Sequence, residues 1–192
     1  MHPLLRSIEE EHQKAVHGFL ATQSAEIEAL AERCAAALGK GRKLLFCGNG
    51  GSACDAMHIA GEFVGRFIDD RPGLAAIALS ADTGILTAIA NDYAYDYVFA
   101  RQVEALGQAG DILICLSTSG SSPNVVRAIA AAREKSVYAV LFTGEKGKEN
   151  NAGADQLLVV PSCITAHVQE AHMVALHGLT GLIEAQLYPP IK

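Results

Sequence analysis

Two short segments of the chain carry imidazole, carboxylate and amide side chains at spacings that suit a shared site. His58 and Glu62 lie four residues apart, so on a helix they occupy one face and can converge on one atom. Gln169 and His177 lie eight residues apart on a second predicted helix, where two turns can line one pocket. Such a set can transfer protons or bind zinc or a similar divalent cation. Spacing alone leaves both possibilities open, and a surface His–Glu pair is most often only a solvated pair.

Two loops rich in glycine and serine have features that suit a phosphate ester. These loops, CGNGGS at 47–52 and STSGSSPN at 117–124, each follow a predicted strand and open a predicted helix. Glycines let backbone N–H groups converge on an anion, and the helix N-terminus adds partial positive charge. The second loop offers hydroxyl groups without lysine or arginine, which suits a phosphate held by hydrogen bonds. The alternative is that glycine and serine only form turns and caps here.

No nucleotide cofactor is predicted, because neither loop matches the patterns G-x-x-x-x-G-K-[ST] or G-x-G-x-x-G. The net charge of −6, with no basic cluster, gives no electrostatic footprint for nucleic acid. No apolar run approaches the roughly 18 residues of a membrane span. The five cysteines form no C-x-x-C pair, so we expect free thiols that mainly fill the core. The acidic, helical start of the chain lacks the features of a secretory signal, and we expect a cytoplasmic protein.

The elements that must position these groups alternate between strands and helices. Five short apolar runs predict β-strands, at 43–47, 74–79, 111–117, 137–143 and 156–161. Alternation with helices predicts one α/β domain with a five-stranded parallel, doubly wound sheet of the Rossmann-like three-layer type. Ligands of such sheets bind at the carboxyl ends of the strands, where both loops are expected to lie.

Three long helical patterns flank the alternating part of the chain. Two N-terminal helices are predicted at 4–20 and 24–39, separated by Ala21 to Gln23. The last helix is predicted from about Thr165 to Leu187, and it ends at Pro189 and Pro190.

The remaining polar residues of interest receive simpler interpretations. His2, His12 and His17 are expected at the surface, and His172 is expected to pack rather than to bind a ligand. Polar wall residues of the pocket are expected at Asp55, Asn91 and Asp92, with helix capping as the alternative.

Four motifs occur in order over nearly the whole chain: CGNGGSACDAMHIAGEF, TAIANDY, STSGSSPNVV and VQEAHMVALHGL. Together they resemble the phosphoheptose isomerases, a family of sugar isomerase (SIS) domain proteins. Four ordered motifs are far more specific than any one of them. The resemblance implies a single SIS domain over 1–192, in which 1–40 form a helical oligomerisation segment and 41–192 form the sugar-phosphate-binding core.

The resemblance also implies an activity, a metal and a set of contacts. The reaction would be isomerisation of sedoheptulose 7-phosphate to D-glycero-D-manno-heptose 7-phosphate by enediol proton transfer, the first step towards nucleotide-activated heptose for bacterial surface glycans such as lipopolysaccharide. Glu62 and His177 correspond to the family's acid and base. One zinc ion per subunit would be bound by His58, Glu62, Gln169 and His177. Sugar and phosphate contacts correspond to Asn49, Gly50, Gly51, Ser52, Glu62, Asn91, Asp92, Ser117, Thr118, Ser119, Ser122 and Gln169.

Members of this family assemble as homotetramers with active sites at subunit interfaces, so the same assembly is expected here. The chain departs from many relatives at Gly61, where they have an acidic residue, and from some at Ala166 and His167, where they have Asp-Arg.

A rival function is that of the related DnaA initiator-associating proteins, which use the same fold as a tetrameric protein-binding platform. Those proteins lack the counterparts of Glu62 and His177, which favours the enzyme. A sugar-phosphate-sensing regulator would need a DNA-binding module, for which 192 residues leave no room.

Overall fold

The five predicted strands form one parallel sheet. A computed structural model describes residues 1–189, and its strands are β1 Leu44–Gly48, β2 Ala76–Ala78, β3 Ile112–Leu116, β4 Tyr138–Gly144 and β5 Gln156–Val160. Their order in the sheet is β2-β1-β3-β4-β5, and every neighbouring pair is parallel. The predicted α/β class and five-stranded parallel sheet are therefore confirmed.

Helices cover both faces of this sheet. They are α1 Pro3–Gly39, α2 Gly51–Val64, α3 Thr83–Asp92, α4 Ala100–Leu106, α5 Pro123–Glu134 and α6 Thr165–Leu187. The bounds of α6 match the prediction, although Pro190 lies outside the described residues. Among residues 1–189, no helix has both the length and the apolar character required to cross a membrane.

The predicted break between two N-terminal helices is wrong, because α1 is continuous from Pro3 to Gly39. The segment from Ala21 to Gln23 contains neither glycine nor proline, so nothing in it ends a helix. Thr22 even donates its hydroxyl to the carbonyl of Gly18, at 2.8 Å, within the helical turn. Gly18 itself allows α1 to approach the segment after β5 closely, since a Cβ there would lie 2.9 Å from Cγ of Pro161.

Alternate residues of the strands enter two separate cores. Phe46, Ile114 and Phe142 face the core that is shared with α1, α2 and α6. On the other face, Cys47 and Cys115 enter a core that also contains residues of α4 and α5. All five cysteines are free thiols, as predicted, and three of them are buried in these cores: Cys34, Cys47 and Cys115.

The sheet reverses its winding between β1 and β3, and this reversal positions the site. These two strands pair in register, with Cys47 opposite Cys115 and Gly48 opposite Leu116. The two glycine- and serine-rich loops consequently begin at the same level of the sheet. The loop after β1 leads into α2 on one face, and the loop after β3 leads into α5 on the other. A crevice at such a switch point is the usual ligand site of this architecture.

Candidate active site

Helices α2 and α6 bring two imidazoles and one carboxylate together. Nε2 of His58 lies 3.1 Å from Oε1 of Glu62, one turn along α2. From α6, Nε2 of His177 approaches Nε2 of His58 at 3.3 Å. We call these three residues the active-site cluster. The spacing within α2 placed the first pair together, and the packing of α6 against α2 adds the third residue.

The active-site cluster is open to solvent and has the donor atoms of a divalent-cation site. The side chain of His58 is 48% exposed and that of Glu62 is 26% exposed. The three ligand atoms lie within 4.8 Å of one another. Two imidazole nitrogens and a carboxylate oxygen suit zinc, and without an ion one Nε2 must donate a proton to the other. The arrangement therefore fits both a metal and proton transfer.

A buried ion pair between Arg71 and Glu184 positions the segment that packs against the ring of His177. The ring of Phe67 stacks on that of His177, with ring centroids 5.4 Å apart and planes 9° apart. The carboxylate of Glu184 accepts hydrogen bonds from the backbone N–H groups of Phe67 and Ile68, at 3.1 and 3.2 Å. Nε of Arg71 also donates to Glu184, at 2.7 Å. The sequence analysis missed these residues, although an acidic residue within the apolar run GLIEAQL was a usable signal.

Gln169 lies against the first loop rather than in hydrogen-bond contact with the active-site cluster. Its amide nitrogen donates to Oγ of Ser52 at 3.3 Å. A Cβ at Gly51 would lie 2.6 Å from the same nitrogen, so a larger residue there would displace the amide of Gln169. The structure thus places Gln169 beside Ser52 in the first turn of α2, and Ser52 precedes His58 by six residues.

The two loops are joined by a reciprocal pair of amide side chains. Nδ2 of Asn49 donates to Oδ1 of Asn124 at 2.9 Å, and Nδ2 of Asn124 donates to Oδ1 of Asn49 at 2.8 Å. The hydroxyl of Tyr95 also donates to Oδ1 of Asn49, at 3.0 Å. Asn124 is buried and was not among the predicted site residues, although it is the last residue of the STSGSSPN motif. The pair fixes the distance between the two loops.

The N-termini of α2 and α5 leave polar groups available for an anion. Within residues 1–189, neither helix has a side-chain hydrogen bond at its N-cap, which is Gly50 for α2 and Ser122 for α5. Gly50 has φ +56°, a conformation that favours glycine. In the second loop, Oγ of Ser117 and Oγ of Ser122 lie 3.3 Å apart, and the hydroxyl of Ser121 donates to Oγ of Ser119 at 3.2 Å. These groups suit a phosphate.

The predicted wall residues differ in their surroundings. Asn91 and Asp92 are exposed at the end of α3, and the Asn91 amide donates to Oδ1 of Asp92 at 2.8 Å. Asp55 lies one turn before His58 on α2. Burial raises the pKa of Asp55, while the charge of His58 opposes this shift. Oδ2 of Asp55 is buried without a hydrogen-bond partner among the described residues, so this oxygen is available to a bound group.

The other histidines divide into exposed, packed and paired residues. His2 and His17 are exposed, as expected. His172 is fully buried and packs edge-on against Phe142, with ring centroids 5.7 Å apart. Burial lowers the pKa of His172 to about 4, which keeps the ring neutral near pH 7. His12 also lies at the surface, with 40% of its side chain exposed, but it contacts a carboxylate of α6 as well.

The chain is similar to phosphoheptose isomerases in both sequence and structure. The sequence profile of the SIS domain matches residues 9–144. The phosphoheptose isomerase of Burkholderia pseudomallei (strain 1710b) is 49% identical over 180 residues, which cover 93% of this chain and 91% of that relative. A solved phosphoheptose isomerase from Neisseria gonorrhoeae has a TM-score of 0.88 at 40% identity, covering 94% of this chain and 97% of that one. One from Francisella tularensis has a TM-score of 0.86 at 33% identity, covering 95% and 98%.

Proposed function

This chain belongs to the phosphoheptose isomerase family of SIS-domain proteins, and we propose that it converts sedoheptulose 7-phosphate to D-glycero-D-manno-heptose 7-phosphate. One observation carries the proposal: the active-site cluster joins α2, which begins at the first of the two loops suited to a phosphate, to α6, whose Gln169 contacts that same loop. The product is a precursor of nucleotide-activated heptose for bacterial surface glycans. The chain keeps Glu62 and His177, which the protein-binding relatives of the same fold lack.

The reaction moves a proton from C1 to C2 through an enediol, while O2 gains a proton and O1 loses one. Glu62 serves as the base, accepting the C1 proton and returning it to C2. His177 donates a proton to O2 and accepts the proton from O1. The stacking of Phe67 on His177 supports this role, because it fixes the plane of the imidazole. The contact of His58 with Glu62 likewise orients the carboxylate.

The proposal includes one zinc ion per subunit, held by His58, Glu62, Gln169 and His177. The convergence of three of these donors within 4.8 Å supports it. Gln169 would add its amide oxygen by turning away from Ser52. A bound zinc ion supplies Lewis-acid polarisation of the sugar carbonyl. A carboxylate bonded to a cation is a weaker base, so the roles of metal ligand and base compete at Glu62. Substitutions of Glu62 therefore test which of the two roles matters for turnover.

The phosphate and the sugar would bind to separate parts of the crevice. The proposed phosphate contacts are the hydroxyls of the second loop, in Ser117, Thr118, Ser119 and Ser122. The proposed sugar contacts come from the first loop, the end of α3 and α6: Asn49, Gly50, Gly51, Ser52, Asn91, Asp92 and Gln169. The uncapped N-termini of α2 and α5, within residues 1–189, support an anion at this position.

The active form is proposed to be a homotetramer in the cytoplasm, in which residues 1–40 contribute to assembly and 41–192 form the sugar-phosphate core. Large apolar side chains exposed on α1 support the assembly: Leu4, Leu5, Ile8 and Leu20. Light scattering of the purified protein measures the mass of the assembly, and a mass other than four chains would contradict the tetramer. The sulfurs of Cys47 and Cys115 lie 3.5 Å apart as free thiols, which suits a reducing compartment.

The activity is tested by incubating purified protein with sedoheptulose 7-phosphate in D2O and following the products by NMR. We expect the heptose 7-phosphate to form and to carry deuterium at C2, because a proton held on Glu62 exchanges with solvent in part. A heptose 7-phosphate product without deuterium still supports the isomerase, and it would mean that the proton on Glu62 is shielded from solvent during the transfer. No turnover with any divalent metal would contradict the proposal and favour the protein-binding platform.

A further inference from the structure

A second cluster of histidine and carboxylate side chains joins the first helix to the last. Nδ1 of His12 and Nδ1 of His167 lie 2.7 and 2.9 Å from the same atom, Oε2 of Glu170. The three ligand atoms lie within 4.8 Å of one another. His12 belongs to α1, whereas His167 and Glu170 lie one turn apart near the start of α6. We call these three residues the interhelical cluster.

The interhelical cluster is buried on one side and open on the other. The side chain of His167 is 6% exposed, whereas those of His12 and Glu170 are 40% and 41% exposed. The buried histidine gives a fixed ligand, and the open side lets an ion enter. Within residues 1–189, the only basic groups paired with Glu170 are the two imidazoles. The structure thus pairs no lysine or arginine of the described residues with this carboxylate.

Two imidazole nitrogens and a carboxylate oxygen are the ligands of zinc in many three-ligand protein sites, where water completes a tetrahedron. We propose that His12, His167 and Glu170 bind a divalent cation of the zinc type, at a site separate from the active-site cluster. The present N–O separations are those of hydrogen bonds. Binding therefore requires each Nδ1 proton to move to Nε2 or to leave, and the side chains to separate slightly around the ion.

The role of this ion is structural. It links α1 to α6 through residues that lie 158 positions apart in the chain. Glu170 directly follows Gln169, whose amide donates to Ser52 at the first loop. Occupancy of the interhelical cluster thus fixes the start of α6, from which Gln169 reaches the crevice.

The proposal is tested by titrating chelator-stripped protein with Zn²⁺ alone, measuring stoichiometry by calorimetry and by metal analysis after desalting. The double variant His58→Ala/His177→Ala removes the active-site cluster, and we expect it to retain one Zn²⁺ per chain. In that background, Glu170→Gln keeps the shape of the side chain. It should lower the remaining affinity at least ~10-fold, because even residues that only support metal ligands contribute 10- to 100-fold.

A matched control is His17→Gln, which changes an exposed histidine of the same helix and should leave Zn²⁺ affinity unchanged. If the double variant does not fold, the single variant His12→Gln provides the test. It should bind one Zn²⁺ per chain fewer than the unsubstituted protein. Zn²⁺ binding that is lost entirely in the double variant overturns the proposal, as does an affinity unaffected by both His12→Gln and Glu170→Gln. Because no substrate is present, either result is independent of the isomerase activity.

Discussion

The active-site cluster and the interhelical cluster contain the same side chains, two histidines and a glutamate, but they differ in connection and in surroundings. In the active-site cluster the two imidazoles meet through Nε2, and the carboxylate contacts one of them from the same helix. In the interhelical cluster a single carboxylate oxygen lies between two Nδ1 atoms from different helices. Both clusters therefore join two helices, but a histidine is the central residue of the first and the carboxylate is the central residue of the second.

The neighbouring elements give these two clusters different roles. Only the active-site cluster includes residues of α2, the helix that begins at a glycine-rich loop and has no side-chain cap among the described residues, which suits a phosphate. The interhelical cluster lies between α1 and α6, and both of its histidines are already bonded to the carboxylate. We therefore expect the reaction at the active-site cluster and not at the interhelical cluster.

The largest predicted difference between the clusters is in turnover. Glu62→Gln keeps the shape of the side chain but cannot accept a proton, so kcat should fall at least ~100-fold while the sugar phosphate still binds. Glu170→Gln, the matched change in the interhelical cluster, should lower kcat much less, because Glu170 contacts His12 and His167 and can affect the crevice only through the position of Gln169. Steady-state kinetics of both variants provide the comparison. Near-normal turnover of Glu62→Gln would remove the carboxylate from the proton transfer and leave the metal as the main catalyst.

The second prediction concerns the phosphate loop, which distinguishes the surroundings of the two clusters. Ser119→Ala removes one proposed hydrogen bond to the ester, and KM should rise about tenfold, since such a bond to a charged group contributes roughly 1.5 kcal/mol. The value of kcat should change much less. Ser24→Ala, an exposed serine on α1, is the control in the same assay. A KM unchanged in Ser119→Ala would exclude this hydroxyl from phosphate binding.

Local signals explain what could be predicted from the sequence. Apolar runs such as that ending at Cys47 gave the strands, and the glycine loops marked the helix starts. Pairings between distant residues carry no such signal. The bonds between Asn49 and Asn124 span 75 positions and depend on the register of β1 with β3, which spacing along the chain does not reveal. The contact of His12 with Glu170 was missed for the same reason, because the two residues lie 158 positions apart in the chain.

The third prediction contrasts the contributions of the two clusters to stability. In metal-free protein, His12→Ala removes a hydrogen bond between helices, and the free energy of unfolding should fall by about 0.5–1.5 kcal/mol. His58→Ala, at an exposed position on α2, should stay within about 0.5 kcal/mol of the unsubstituted protein. Urea denaturation measures both. Equal losses in the two variants would mean that the active-site cluster also supports the fold.

The smallest predicted effect concerns how acid weakens the support behind the active-site cluster. Burial alone would raise the pKa of Glu184, but hydrogen bonds from the N–H groups of Ile68 and Phe67 and from Arg71 outweigh it, so the pKa is lowered from its ordinary value of 4.5. A carboxyl whose folded-state pKa is lowered stabilises the fold fully above its unfolded-state pKa. It loses that contribution as the pH falls through the folded-state value.

The test compares the unsubstituted protein with Glu184→Gln, which cannot titrate at this position, by urea denaturation between about pH 7 and pH 3.5. Above about pH 5 the difference in unfolding free energy should be constant, because Glu184 is ionised in both the folded and the unfolded state. Below the ordinary pKa of 4.5 the difference should narrow, since the unfolded state then binds the proton more readily. A difference that widens on acidification would mean that Glu184 is stabilised in its protonated form. In that case the position of Phe67 would not depend on an ionised carboxylate at Glu184. The orientation of the His177 ring, which stacks on Phe67, would not depend on it either.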